Sequence, residues 1–330
     1  MSWEGTMKRH LIVGAALLGL QTGAAALSPA GARDYPGRPV HLVVAFPAGG
    51  SNDVVARLLA QALSERLGQQ FIIENKSGAG GNVGTEAGLR APADGYTLLF
   101  AAPHNAINTS LYPKLAFDFL KDSVPVAGIA RTPSVMEVNP SVPAKTVREF
   151  IDYAKAHPGK INLASPGNGT AIHLAGELFM AMTGVKLLHV PYRGGAPALT
   201  DMLSGQVQVM FDALPSSLAH VQAGTLRALA VTTGERSEAL PNLPTVAETV
   251  PGYEASIWYG MVAPKGTPAE VIDTLSKATN AIAEQPQIKR RLAELGCTPM
   301  PMGPTEFGNL LAAETEKWRK VVKFAGVTAD

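Results

Sequence analysis

His41-Leu-Val-Val-Ala-Phe-Pro-Ala-Gly-Gly-Ser-Asn-Asp53 is the stretch that decides the architecture. Its first part, His41 to Phe46, is an apolar run of strand length, and it breaks into a turn at Gly49 and Gly50. Beyond the turn, Val55, Leu58, Leu59, Ala62, Leu63 and Leu67 fall on one helical face, and Gly68 supplies a C-terminal stop. A second apolar run, Gln70 to Asn75, completes a strand–helix–strand unit. The same alternation continues, with strands predicted over Tyr96 to Ala101, Val124 to Ala130, Ile161 to Ala164, Lys186 to Val190, Val207 to Phe211 and Leu226 to Thr232. Strands separated by helical periodicities predict an α/β fold with a mostly parallel sheet. Helix starts are marked by the capping-box pair Thr146 and Glu149 and by Thr267-Pro-Ala-Glu270, with proline at the first helical position. Thr305 to Phe324 reads as a long amphipathic helix burying Phe307, Leu310, Leu311, Trp318, Val321 and Val322.

The turn after His41 to Phe46 has a counterpart far along the chain, Ser165-Pro-Gly-Asn-Gly-Thr170, which follows Ile161 to Ala164 and opens a helix over Ala171 to Thr183. The start of a helix carries unpaired N–H groups and the positive end of the backbone dipole, so either loop is able to hold an anion without a lysine. The ligand candidates are therefore Phe46, Ala48, Gly49, Gly50, Ser51, Asn52 and Asp53 in the first loop and Ser165, Gly167, Asn168, Gly169 and Thr170 in the second. A carboxylate beside an anion repels it, so the default role of Asp53 is to stabilise the helix start, with contact to a ligand ammonium or hydroxyl as its alternative. Thr170 reads as an N-cap. His173, one turn into the helix, is either a packed core histidine or a ligand contact. Tyr192 and Arg193 end another strand in a Gly-rich turn, and Asp212 ends Val207 to Phe211; ligands of open α/β sheets bind at the carboxyl ends of strands.

The 330 residues exceed what one hydrophobic core usually fills, which favours two domains. Met7-Lys-Arg-His10, the apolar run Leu11 to Leu20 and Ala30-Gly-Ala32 read as an export signal cleaved after Ala32. Without residues 1–32 the basic and acidic side chains balance, so no long-range field draws the protein to nucleic acid or to an anionic membrane. Cys297 is the sole cysteine, which excludes an intramolecular disulfide and leaves no site for a lipid anchor after the signal. A freely diffusing periplasmic protein is expected.

Other chemistries fit less well. Gly78-Ala-Gly-Gly-Asn-Val-Gly84 lacks the spacing of a dinucleotide loop, and no acidic residue ends a following strand at the needed distance. No phosphate-binding G-x-x-x-x-G-K-[ST] occurs, and no cofactor is expected. Ser165, His173 and Asp212 make a triad on paper, yet Pro166 removes the N–H a nucleophile elbow would use for its oxyanion hole. The histidines show no familiar zinc spacing.

Taken together, the segments resemble the extracytoplasmic solute receptors of the tripartite tricarboxylate transporter family, the Bug proteins. The match runs from about Tyr35 onward through Tyr35-Pro-Gly-Arg-Pro-Val, Phe46-Pro-Ala-Gly-Gly-Ser-Asn-Asp, Gly78-Ala-Gly-Gly and Asp94-Gly-Tyr-Thr-Leu. It continues through Ala154-Lys-Ala-His-Pro-Gly-Lys, His189-Val-Pro-Tyr-Arg-Gly-Gly, Leu243-Pro-Thr-Val-Ala-Glu and Trp258-Tyr-Gly with Ala263-Pro-Lys-Gly-Thr-Pro. The resemblance implies a type II periplasmic binding protein fold, with two lobes joined by crossing strands and a ligand cleft between them. It places residues 33–130 and 235–330 in lobe 1 and residues 131–234 in lobe 2. It further implies a small carboxylate held by backbone N–H groups of both loops, lobe closure without chemistry, a monomer, and membrane permease subunits as partners. Arg193 stands where the family commonly has lysine, so a planar donor replaces a point charge there. A sensory receptor for a membrane kinase and a periplasmic hydrolase are the competing expectations.

Overall fold

The computed structural model describes residues 35–328, and the predicted signal and its cleavage point lie outside them. The opening unit forms as β1 (Val40–Val44), α1 (Ser51–Leu67) and β2 (Phe71–Asn75), with β1 and β2 parallel. Val55, Leu59, Ala62 and Leu63 are buried along α1, Leu58 and Leu67 flank them, and Gly68 ends the helix in the left-handed region at φ 71°. Next come α2 (Asn82–Leu89), β3 (Thr97–Ala101), α3 (Pro103–Leu111) and the single turn α4 (Phe119–Asp122). β3 pairs parallel with the free side of β1.

β4 (Ser123–Val138) organises the rest of the molecule. It is followed by α5 (Val147–Ala156), β5 (Asn162–Ser165), α6 (Ala171–Thr183), β6 (Leu188–Pro191), α7 (Gly195–Ser204), β7 (Val209–Ala213), α8 (Leu214–Gln222) and β8 (Arg227–Val231). The chain then returns through β9 (Ser256–Pro264), α9 (Ala269–Ala283), α10 (Pro286–Glu294), β10 (Thr298–Met302) and α11 (Pro304–Ala325). From Ser123 to Pro133, β4 runs antiparallel to β9, whereas from Ser134 to Val138 it pairs with β7 and β8. Strand order β2-β1-β3-β9-β4-β7-β5-β6 results, with β10 and β8 both on β4.

The expectation of a mostly parallel sheet is corrected by this arrangement. Parallel pairing holds within β2-β1-β3 and within β7-β5-β6, but every pairing of β4, and that of β3 with β9, is antiparallel. β4 leaves the first half of the sheet and β9 comes back to it, so the two travel in opposite senses. The predicted strand Val124 to Ala130 is also too short, because Pro133 reads as a strand breaker. Pro133 lies at the point where β4 exchanges its β9 neighbour for β7, a position where a missing donor costs least. At α9 the helix begins at Ala269, one residue later than expected, with Pro268 as its N-cap.

α11 forms as read, burying Phe307, Leu311, Trp318 and Val322 against α3 and β4. Phe307 meets Trp258 edge to face at 5.7 Å, and its ring lies over Gly260 of β9 so closely that a Cβ there would run into it. Gly260→Ala is therefore expected to destabilise the fold by about 1–3 kcal/mol through overpacking, read as a lower urea midpoint with an unchanged slope. An unchanged midpoint would show that α11 shifts aside without cost.

Candidate functional site

Four helices start around one cavity. α1 begins after Gly50, α3 after Ala102, α6 after Thr170 and α7 after Gly194, and the wall includes Ser51, His104, Ala171 and Gly195 from their first turns. α1 and α3 follow strands of the first half of the sheet, and α6 and α7 follow strands of the second. The first turn of each helix leaves N–H groups without intrahelical acceptors, so donors and dipoles converge from both sides. No lysine or arginine lies on the wall, and Asp212 is its one charged residue. The space measures about 40 Å³, above the roughly 10–15 Å³ that one water needs.

The turn before α1 is built by Asp53. Its buried carboxylate accepts the Gly49 N–H at 3.0 Å, both forks of Arg57 at 2.8 and 2.9 Å, and Asn75 Nδ2 at 3.0 Å. Asn75 Nδ2 also donates to the Phe46 carbonyl at 2.8 Å, so both ends of the turn are tied to one carboxylate. Burial alone would raise the Asp53 carboxyl. The bonds from Arg57, Gly49 and Asn75 outweigh it and hold the group below the usual aspartate value. Gly49 takes φ 86°, a left-handed conformation that favours glycine.

The second loop is closed by its own side chains. Thr170 Oγ1 accepts the His173 N–H at 3.2 Å and donates to the Gly167 carbonyl at 2.8 Å. Ser165, fully buried, contacts His189 Nε2 at 2.7 Å and accepts the Gly167 N–H at 3.2 Å. His173 stacks on His189 with ring centroids 4.0 Å apart, and its Nδ1 accepts the Gly169 N–H. The triad drawn on paper is not assembled: the histidine at Ser165 is His189, and Asp212 bonds instead to Ser216 and Ser217. Among the described residues, no three His, Cys, Asp or Glu side chains gather to hold a metal ion.

Of the candidates read from sequence, Phe46, Gly50, Ser51, Asn52, Thr170 and Asp212 lie on the cavity wall. Ala48, Gly49, Asp53, Ser165, Gly167, Asn168, Gly169 and His173 are not on the wall; Ala48 and Gly49 are exposed, and Asp53, Ser165, Gly167, Gly169 and His173 are buried within the two turns. Tyr192 points its hydroxyl to Asp201 at 2.7 Å and Arg193 is exposed, so neither forms part of the wall. The sequence reading missed His104 and Gly195. His104 is buried edge-on to Phe46 at 4.9 Å, and its Nε2 has no hydrogen-bond partner among the described residues. Burial pulls its pKa down to about 3, so the wall carries a neutral imidazole. The available signal was Pro103, a proline at the first helical position directly after a strand.

A family model described as tripartite tricarboxylate transporter family receptor matches residues 55–327. The chain belongs to this receptor family. Protein BugT of Bordetella pertussis is 36% identical over 315 residues, covering 94% of this chain and 97% of that protein. A Rhodopseudomonas palustris protein solved with adipate is 40% identical, with a TM-score of 0.87 over 89% of this chain and 99% of the other. MatC from the same organism, solved with bound malate, is 32% identical, with a TM-score of 0.84 over 87% and 100% of the two chains. The fold is accordingly the mixed α/β, two-lobed architecture of periplasmic solute-binding proteins, and β4 and β9 run between its halves. No helix among the described residues is long and apolar enough to cross a membrane.

Proposed function

We propose that this protein is an exported periplasmic receptor that captures a small organic carboxylate and delivers it to the membrane permease of a tripartite tricarboxylate-type transporter. One observation carries the reading: four helix N-termini, two from each half of the sheet, meet at a cavity lined by no lysine or arginine. Such a wall recognises a carboxylate through directed N–H groups, and it needs both halves to do so. Adipate and malate in the similar R. palustris structures support this ligand class. Residues 33–130 with 235–330 act as one lobe and 131–234 as the other, Asp53 orders the turn before α1, and closure replaces chemistry. The receptor works as a monomer and without a cofactor.

A thermal-shift screen of mono-, di- and tricarboxylates, amino acids and aromatic acids tests the binding step. A specific ligand at a hundred times its Kd stabilises the native state by about 2.7 kcal/mol, a rise readily seen in Tm. No shift with any carboxylate would end this reading. Uptake of the radiolabelled ligand by a strain lacking the gene tests the delivery step, and unchanged uptake counts against it.

A further inference from the structure

Behind the Asp212 wall sits a second carboxyl group that the anion-binding reading leaves unused. Glu137, on β4, is fully buried. Ser217 Oγ on α8 lies 2.8 Å from Glu137 Oε1 and also 2.8 Å from Asp212 Oδ2. A serine hydroxyl has one proton, so it cannot donate to two carboxylates. With both acids ionised, one of these short contacts would set oxygen lone pairs against each other beside two buried charges. One carboxyl must bring a proton of its own.

Donor counting identifies which. Asp212 has the Ser216 hydroxyl at 2.7 Å, a proton it shares with the Ala213 carbonyl 2.9 Å away, together with the Ala213 backbone N–H, and it reaches the cavity. Glu137 has Ser217 alone, and its Oε2 is buried without a partner. The other titratable groups near enough to act on Asp212 are His220, also on α8, and the buried Tyr259 phenol on β9; neither faces Glu137 with a counter-charge. Burial raises both carboxyls; for Asp212 the bonds from Ser216, Ser217 and Ala213 pull back against it, whereas Glu137 has only Ser217 and carries the added push of the Asp212 charge.

We propose that Glu137 is held as a carboxylic acid that donates to Ser217, that Ser217 in turn donates to Asp212, and that Asp212 is thereby kept a hydrogen-bond acceptor on the cavity wall. An acceptor there, among helix N-termini that attract carboxylate, selects a carboxylate bearing a hydroxyl or ammonium donor. Glu137 acts through Ser217 and is a positioning residue. The inference rests on the carboxylate-receptor reading for its ligand class, while its proton arrangement stands on the protein alone.

Succinate, malate and aspartate share one four-carbon dicarboxylate skeleton and differ at a single carbon by hydrogen, hydroxyl and ammonium. Titration calorimetry of the full chain is expected to give malate or aspartate a Kd roughly ten- to hundredfold below that of succinate, the span of a hydrogen bond to a charged group. Asp212→Asn is expected to collapse that ratio. Glu137→Gln, whose amide donates to Ser217 as the acid does, is expected to retain it. In the infrared, the unliganded wild type at neutral pH is expected to show a protonated-carboxyl C=O band that is absent from Glu137→Gln. Equal affinity for all three ligands, a ratio that survives Asp212→Asn, or the lack of that band would each overturn the inference. The infrared arm needs no ligand, so a band present in a protein that binds no carboxylate would strike the receptor reading instead.

Discussion

Gly80→Ala is expected to weaken carboxylate binding by roughly a hundredfold while leaving the protein folded, because it removes the closed state rather than a ligand contact. Gly80 precedes α2 on the first half of the molecule, at φ 61°. A Cβ there would run into the backbone carbonyl of Asn168, in the turn before α6, and come within 2.9 Å of the Tyr112 hydroxyl. A carbonyl fixed in a tight turn yields far less than a flexible side chain. Close approach recurs along the seam: a Cβ on Gly194 would run into the Pro47 ring, 2.6 Å from its Cδ, and one on Gly50 would sit in ordinary contact with Gly195 N at 3.8 Å. Gly50 and Gly195, one on each side of the cavity, bring backbone next to backbone there.

A left-handed alanine costs about 1–2 kcal/mol wherever it is placed, so the result needs a control that carries only this strain. Gly68→Ala supplies it. Gly68 has φ 71°, caps the far end of α1 and has nothing within 4 Å of its missing Cβ. The two variants are expected to lose similar stability in urea, yet only Gly80→Ala should lose affinity for the ligand found in the thermal-shift screen. It should also lose the ligand-induced compaction seen by small-angle scattering. Wild-type affinity in Gly80→Ala would remove interlobe contact at this seam from the binding mechanism.

The turns that build the cavity were legible because strand, glycines and helical face lie next to one another in the chain. Gly50, Ser51, Asn52 and Thr170 follow from that pattern alone. His104 did not, since the turn before α3 contains no glycine and its helix start is written only in Pro103. In His189 to Gly195 the reading settled on Tyr192 and Arg193, the side chains able to reach furthest. Gly195 lines the cavity instead, because the free donors of a helix lie in its first turn, one or two residues past the bulky groups of the loop. β9 was passed over for a different reason. Ser256–Pro264 is buried almost throughout, so it has no alternation to mark it, and Gly260 and Pro264 interrupt it. Its glycine is explained only by Phe307, which arrives from α11 at the far end of the chain. The pairing of Glu137 with Asp212 depends on two residues well separated in sequence meeting at Ser217, a juxtaposition that no local pattern encodes.

Asp53→Asn should be the most damaging isosteric change in the first loop, in stability and in binding together. The carboxylate side chain is 4% exposed and receives four hydrogen bonds, two of them from the Arg57 guanidinium. An amide of the same shape turns a donor toward donors, leaving at least one buried N–H unsatisfied, for a loss of about 2–3 kcal/mol. Arg57 is half exposed and can re-solvate, so the larger share of that loss falls on Gly49 and Asn75, the groups that fix the turn. Ligand affinity should drop with it, because Gly50 and Ser51 are held in place by the same bonds. The pH dependence identifies the cause. The folded-state carboxyl titrates below its ordinary value of 3.8, so its stabilisation is complete above that value and is lost as the pH falls through the lower, folded one. Urea midpoints for wild type and Asp53→Asn should therefore differ most near neutral pH and converge in acid. A gap that stays constant down to about pH 3 would mean that the asparagine costs the protein through packing, and that the charge of Asp53 does not hold the turn.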